Sequence, residues 1–172
     1  MSEASSAPHQ HRSYAPESVN CWVLTVSDSR SVANDTSGAL IEEKLEAAGQ
    51  RALVRKIVPD EPEAIRAELQ RAIALPEVDA VLVTGGTGVS PRDRTPEAVA
   101  PLLDKVLDGF GELFRALSFA EIGPAAMLSR ALAGSAGRTV IYVMPGSRAA
   151  VSLALERLVL PEIAHLVGQL RR

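Results

Sequence analysis

Ala80 to Glu97 constrains the fold more than any other stretch of the chain. Ala80-Val-Leu-Val83 is an uninterrupted apolar run, the pattern of a strand covered on both faces. It breaks at Thr84-Gly-Gly-Thr-Gly88, a loop with almost no side chains. Arg92, Asp93 and Arg94 follow. Thr95-Pro96-Glu97 then forms a helix start, with Thr95 as N-cap, Pro96 at the first helical position and Glu97 in the first turn. A strand, a glycine loop and a helix in that order make the architecture that holds phosphate. Backbone amides approach the anion where no Cβ intervenes, and the helix N-terminus adds partial positive charge. There is no Gly-Lys-Ser/Thr of a Walker A motif, and no third glycine completes a dinucleotide fingerprint after Gly86 and Gly88.

Strand and helix patterns alternate through the remainder. Cys21 to Val26 is a short apolar strand, and Thr36 caps a helix from Ser37 to Ala48 that stops at Gly49. Ala52 to Val58 is a second strand, and a helix opening at Pro62 repeats Ile65, Leu69, Ala72 and Ile73 at helical spacing. The helix from Thr95 runs to about Asp104. Gly109 to Ala133 is mostly helical, interrupted at Gly123-Pro124. Thr139 to Val143 is the last strand, and helices follow Ser147 and Pro161. Such alternation predicts an α/β fold with three layers, α/β/α, and a mostly parallel sheet.

Parallel sheets bind ligands at the carboxyl ends of their strands. The four strands end at Ser27-Asp28-Ser29, at Pro59-Asp60-Glu61, at Gly85-Gly86-Thr87-Gly88 and at Pro145-Gly146-Ser147. All four polar clusters therefore fall on one rim, where a single ligand could touch them.

Composition narrows the partners. A length of 172 residues suits one domain, placed at 19–172 after a polar arm, 1–18, expected to be disordered. Net charge is -3 with both signs mixed, and no basic, aromatic-interleaved block points to nucleic acid. The single cysteine, Cys21, excludes an internal disulfide and suits a buried position. No apolar run approaches the ~20 residues of a membrane span, and the N-terminal stretch lacks a secretory pattern, so the cytoplasm is the expected compartment. His9 and His11 fall in the arm and His165 on a late helix; solvent and structure account for them.

Most site candidates have an ordinary alternative. Asp60 can cap the helix near Pro62. Asp93 can be solvated or pair with Arg92 or Arg94, both of which suit solvent. Ser27 and Asp28 can close a turn, and Ser147 can cap its helix. Two carboxylates beside a phosphate loop are nonetheless unfavourable unless a cation lies between them, which points to Mg²⁺ shared with substrate phosphates.

Together these motifs resemble the molybdopterin-binding MoaB/Mog family. The resemblance rests on Thr84-Gly-Gly-Thr-Gly88 with Arg92-Asp-Arg-Thr-Pro-Glu97, on Leu24-Thr-Val-Ser-Asp28 with Asp35-Thr-Ser-Gly38, on Gly109-Phe-Gly-Glu-Leu-Phe-Arg115 with Ser118 and Ser129-Arg130, and on Met144-Pro-Gly-Ser147. It implies a molybdopterin-binding domain that transfers AMP from Mg-ATP to molybdopterin, releasing pyrophosphate. Asp60 and Asp93 match the family's catalytic and Mg²⁺-holding acids. Ser27, Asp28, Thr84, Gly85, Gly86, Thr87, Gly88, Pro145, Gly146 and Ser147 would hold nucleotide or pterin. The family also implies a homotrimer or homohexamer, with apolar groups of 109–133 such as Phe110, Phe114, Leu117, Phe119 and Met127 supplying part of the interface. The alternative is a non-catalytic molybdopterin-binding or carrier protein of the same pathway.

Overall fold

Alternation of side chains along β1 (Asn20–Val26) divides the molecule into layers. The structure, a computed structural model, describes residues 14–172. After β1 come α1 (Thr36–Ala47), β2 (Arg51–Val58), α2 (Pro62–Ala74), β3 (Ala80–Thr84) and α3 (Thr95–Val99), which tightens into a 3₁₀ turn at Ala100–Leu102. Then follow β4 (Lys105–Val106), α4 (Asp108–Ile122), a 3₁₀ segment Gly123–Leu128, β5 (Leu132–Ala136), β6 (Thr139–Met144), α5 (Arg148–Ala154), a π-helical turn Leu155–Val159 and α6 (Leu160–Leu170).

Cys21 and Val23 enter one core with Leu82 and Tyr142, beneath Ile41 and Leu45 of α1, Phe114 of α4 and Ile163 of α6. Trp22, Leu24 and Val26 enter the other with Val83 and Ile141, beneath Ile65 and Leu69 of α2 and Val99 of α3. A strand buried on both faces needs apolar residues at every position, which explains the unbroken run at Ala80. The three-layer α/β/α reading is therefore correct.

Strand order is β2-β1-β3-β6-β5-β4. The first four strands run parallel, while β5 and β4 add antiparallel. Neither antiparallel strand was expected: β4 falls between the helices read to about Asp104 and from Gly109, and β5 begins at the end of the helical stretch read to Ala133; this is the main correction to the sequence reading. β5 reads Leu-Ala-Gly-Ser-Ala, poor in β-formers, because its neighbours crowd it: a Cβ on Gly134 would lie 2.4 Å from the Lys105 carbonyl oxygen. Gly137, at φ +58°, takes the first place of the two-residue turn into β6, where a type II′ hairpin requires glycine. The helix from Thr95 is also shorter than expected, since Pro101 follows directly and cannot extend it.

Two further differences are local. Asp35, not Thr36, caps α1, accepting the Gly38 N–H at 2.9 Å. Residues 14–18, grouped with the arm from sequence, lie against α6: a Cβ on Gly168 would come 2.6 Å from the Tyr14 carbonyl oxygen, and the Arg172 guanidinium sits 4.1 Å over the Tyr14 ring. His9 and His11 lie outside the described residues. Phe110 and Phe114, expected in part at an interface, belong to the core, whereas Phe119 and Met127 are exposed. Among the described residues no helix is long and apolar enough to cross a membrane.

Candidate functional site

The chain leaves β1 for β2 on one side and returns from β2 to β3 on the other, so strand order reverses between β1 and β3. A crevice opens at the carboxyl ends of strands at such a switch point. Hydrogen bonds tie the loops there into one rim. Ser27 N–H donates to Val58 O at 2.9 Å, and Gly85 N–H donates to Met144 O at 3.0 Å. The Thr84 hydroxyl donates to Pro145 O at 3.0 Å, and the Ser37 hydroxyl donates to Gly146 O at 2.7 Å. Four loops separated in sequence thus become one surface.

The glycine loop is tightly determined. Gly85 and Gly86 have φ of +103° and +64°. A Cβ on Gly85 would stand 2.2 Å from Val26 O; on Gly86 it would stand 2.2 Å from Thr95 Oγ1 and 2.9 Å from Asp60 Oδ2. Side chains are excluded here by φ and by space at once. Thr95 is not an N-cap. It begins the helix, and its hydroxyl donates to Gly85 O at 2.9 Å while its N–H donates to Gly86 O at 3.1 Å. It closes the loop rather than the helix.

Asp60 is 8% exposed, and its Oδ1 accepts the Arg94 N–H at 3.2 Å. It has no ion pair among the described residues. Burial pushes its carboxyl up from the ordinary range, and the charges of Asp93 and Asp28 push the same way against the Arg94 amide bond and the charge of Arg92. Glu61 occupies the cap position of α2 without a side-chain bond, so Asp60 has no capping role. Asp93 is half-buried, and its Oδ2 accepts the Ser90 N–H at 2.9 Å. The same oxygen lies where a Cβ on Gly88 would fall, 2.7 Å away.

Asp28 is exposed and engaged within the protein. Its Oδ1 accepts the Asp60 N–H at 3.0 Å, and Arg92 Nη2 donates to Oδ2 at 2.7 Å and Oδ1 at 2.9 Å. The Arg92 guanidinium holds the Asp28 carboxyl below its usual range. Arg92 also reaches Glu61 at 2.7 Å, so a residue read as solvated straps three loops together. Ser27 Oγ accepts the N–H groups of Ser29 and Arg30, both at 3.3 Å, which is the turn-closing role. Ser147 Oγ accepts the Ala150 N–H at 3.2 Å, capping α5. Thr84 and Thr87 are buried, with side chains turned from solvent.

A cavity of about 80 Å³ lies between the loops, lined by Ser27, Arg30, Ser37, Gly85 and Gly146 among others. A broader one of about 650 Å³ continues beside Asp28 toward Lys56, and a third of about 420 Å³ opens at Ser90, Asp93 and Arg94. Arg30 borders the first two, a placement no local sequence signal announces. Buried Asp35, part of the Asp35-Thr-Ser-Gly38 motif but given no role from sequence, accepts from Thr25 Oγ1 at 2.9 Å and Arg55 Nη1 at 3.3 Å and so anchors the loop after β1.

Among the described residues no group of three or more His, Cys, Asp or Glu could hold a metal ion. The donors present fit Mg²⁺ in another way. This ion keeps few protein carboxylates and fills its remaining positions with water and substrate phosphate oxygens. Asp60, buried with its carboxyl pushed up and no ion pair among the described residues, and Asp93, beside an amide-lined loop, would supply that chemistry.

Comparison with known proteins agrees with the geometry. The family described as "Probable molybdopterin binding domain" matches residues 22–165. The Molybdenum cofactor biosynthesis protein B of Bacillus cereus is 46% identical over 164 residues, covering 95% of this chain and 97% of that protein. The protein of the same name from Halalkalibacterium halodurans is 49% identical over 162 residues, with 94% and 95% covered. A crystal structure of Molybdenum cofactor biosynthesis protein B superposes with a TM-score of 0.89 at 47% identity, covering 92% of this chain and 99% of that one. The tungsten cofactor synthesizing protein MoaB from Pyrococcus furiosus superposes with a TM-score of 0.82 at 39% identity, covering 92% and 100%. The chain is a member of the molybdopterin-binding domain family.

Proposed function

We propose that this protein acts in molybdenum cofactor biosynthesis, in the cytoplasm, as a nucleotidyltransferase that adenylylates molybdopterin with Mg-ATP. The observation that carries this reading is the pair Asp60 and Asp93 beside a glycine loop whose geometry excludes side chains. A plain anion-binding site has no use for two carboxylates next to the anion; a site for phosphate with Mg²⁺ requires them.

The terminal phosphate oxygen of molybdopterin attacks the α-phosphorus of ATP. A new P–O bond forms, the bond to the β-phosphate bridge breaks, and pyrophosphate leaves. Little covalent chemistry is asked of the protein, so positioning and charge stabilisation supply the rate. Amides of Gly85 to Gly88 hold nucleotide phosphates. Ser27, Asp28 and the turn Pro145-Gly146-Ser147 border the space left for nucleotide and pterin. Asp60 and Asp93 would hold Mg²⁺, which would supply neutralisation of charge on the phosphate oxygens. The Arg92 strap fixes Asp28, and through Asp28 the main chain of Asp60. The assembly is a homotrimer or homohexamer, supported by exposed Leu113, Phe119, Ile122, Met127 and Leu128 along α4 and the segment after it.

The test is pyrophosphate release from ATP by the purified protein. Release that needs both molybdopterin and Mg²⁺ supports the transferase. Tight molybdopterin binding without release would make this a carrier.

A further inference from the structure

Arg130 bonds two carbonyls of the glycine loop, although it stands just before β5. Its Nε donates to Gly88 O at 2.8 Å and its Nη2 to Asp93 O at 2.6 Å. Its Nη1 pairs with Glu97, and its own N–H donates to Thr87 O at 3.1 Å. One residue therefore grips both ends of 87–97.

The carbonyls it takes decide where the amides point. No cis peptide bond occurs among the described residues. In a planar trans peptide the C=O of one residue and the N–H of the next face opposite ways. Holding Thr87 O and Gly88 O on the Arg130 side turns the N–H groups of Gly88 and Val89 to the other side. Holding Asp93 O turns the Arg94 N–H away from Arg130, and that N–H donates to Asp60 Oδ1 at 3.2 Å. The guanidinium thus acts at both acids: directly on the main chain of Asp93, and through one peptide plane on the side chain of Asp60.

We infer that Arg130 is a positioning residue of this site, its forked guanidinium setting the Val89 amide and the relation of Asp60 to Asp93 while its main-chain N–H sets the Gly88 amide. Lysine cannot replace it, because an ammonium group lacks the planar fork that reaches several carbonyls in fixed directions. The inference rests on the adenylylation reading only for its kinetic consequence; its geometric consequence stands apart.

The experiment therefore has two arms, on Arg130→Lys and Arg130→Met. In the first, amide hydrogen exchange is followed at Arg94 and, as a reference, at Val83 in β3. The Arg94 amide should exchange ~10-fold faster or more in both variants relative to Val83, because a local bond is released without opening the core. Arg94 exchange that is unchanged, or that rises only in step with Val83, overturns the inference. In the second arm, molybdopterin-dependent pyrophosphate release should fall ~10²-fold in kcat with KM for ATP little changed, the signature of lost alignment. Added guanidinium should restore part of kcat to Arg130→Gly. Selective Arg94 exchange in a protein whose wild type releases no pyrophosphate would uphold Arg130 and sink the transferase instead.

Discussion

Asp79 and Asp60 are buried at opposite rims of the sheet, and the two are treated in opposite ways. At the amino rim Asp79 is 5% exposed; it accepts the Asn20 N–H at 3.0 Å and pairs with Arg171. A cavity of about 390 Å³ lies beside it, floored by Ile73, Leu75 and Val78, but its acid already has a cation within the fold. At the carboxyl rim Asp60 is buried almost as deeply, has one amide for a partner, faces two other acids and has its carboxyl pushed up. A buried carboxylate with an internal counter-ion is structure; one without an ion pair is the kind of group to which the proposed function assigns a cation. Cavity size points the same way, since the opening beside Asp28 at the carboxyl rim is about 650 Å³.

This contrast can be broken by mutation. The largest effect should come from Asp93→Ala, which should slow molybdopterin-dependent pyrophosphate release ~10²-fold or more, as loss of a preorganised electrostatic group does. Arg171→Met at the other rim should leave that rate unchanged, a difference that steady-state assays of the two variants read directly.

Glycines sharpen the comparison. Gly86→Ala meets both a positive φ and Thr95 Oγ1, and should cost about 3 kcal/mol of stability in denaturant titration. Gly137→Ala meets the positive φ with nothing within 4 Å, and should cost only about 1 kcal/mol with activity kept.

Arg171→Met leaves Asp79 without its cation. Because Arg171 is 39% exposed and solvent screens part of the pair, the cost should be about 2 kcal/mol rather than the larger loss of a fully buried pair. Thermal unfolding of both rim variants checks it.

The smallest effect carries an opposite sign. A raised carboxyl means the native state holds its proton to higher pH than the unfolded chain, so stability falls as pH rises from the ordinary carboxylate range through the native value. Asp60→Asn keeps an oxygen for the Arg94 N–H and removes the buried charge. It should abolish turnover yet raise stability by about 1 kcal/mol at neutral pH, as removing a strained functional group commonly does. The gain should vanish in acid, where wild-type Asp60 is protonated; thermal melts at the two pH values read it.

What the sequence disclosed divides along the same line of local against distant causes. The central parallel strands were legible because burial on two faces writes itself as continuous apolar residues. Gly85-Gly86 was legible because a positive φ selects glycine at once. β5 was not, because Gly134 at its centre answers to the Lys105 backbone and to Leu103 rather than to strand propensity. Thr95 carries the composition of a cap, yet its hydroxyl answers to Gly85, ten residues back. Arg92 and Arg130 were invisible as strap and clamp, since their partners lie 31 to 64 and 33 to 42 residues away. Charge on a loop looks the same whether it meets water or a carbonyl.

The most direct test is anomalous diffraction from crystals holding Mn²⁺, ATP and molybdopterin together. The account predicts the metal signal between the carboxylates of Asp60 and Asp93, with phosphate density over Gly85 to Gly88. Metal and phosphates found instead at the far rim, beside Asp79 and Arg138, would contradict it.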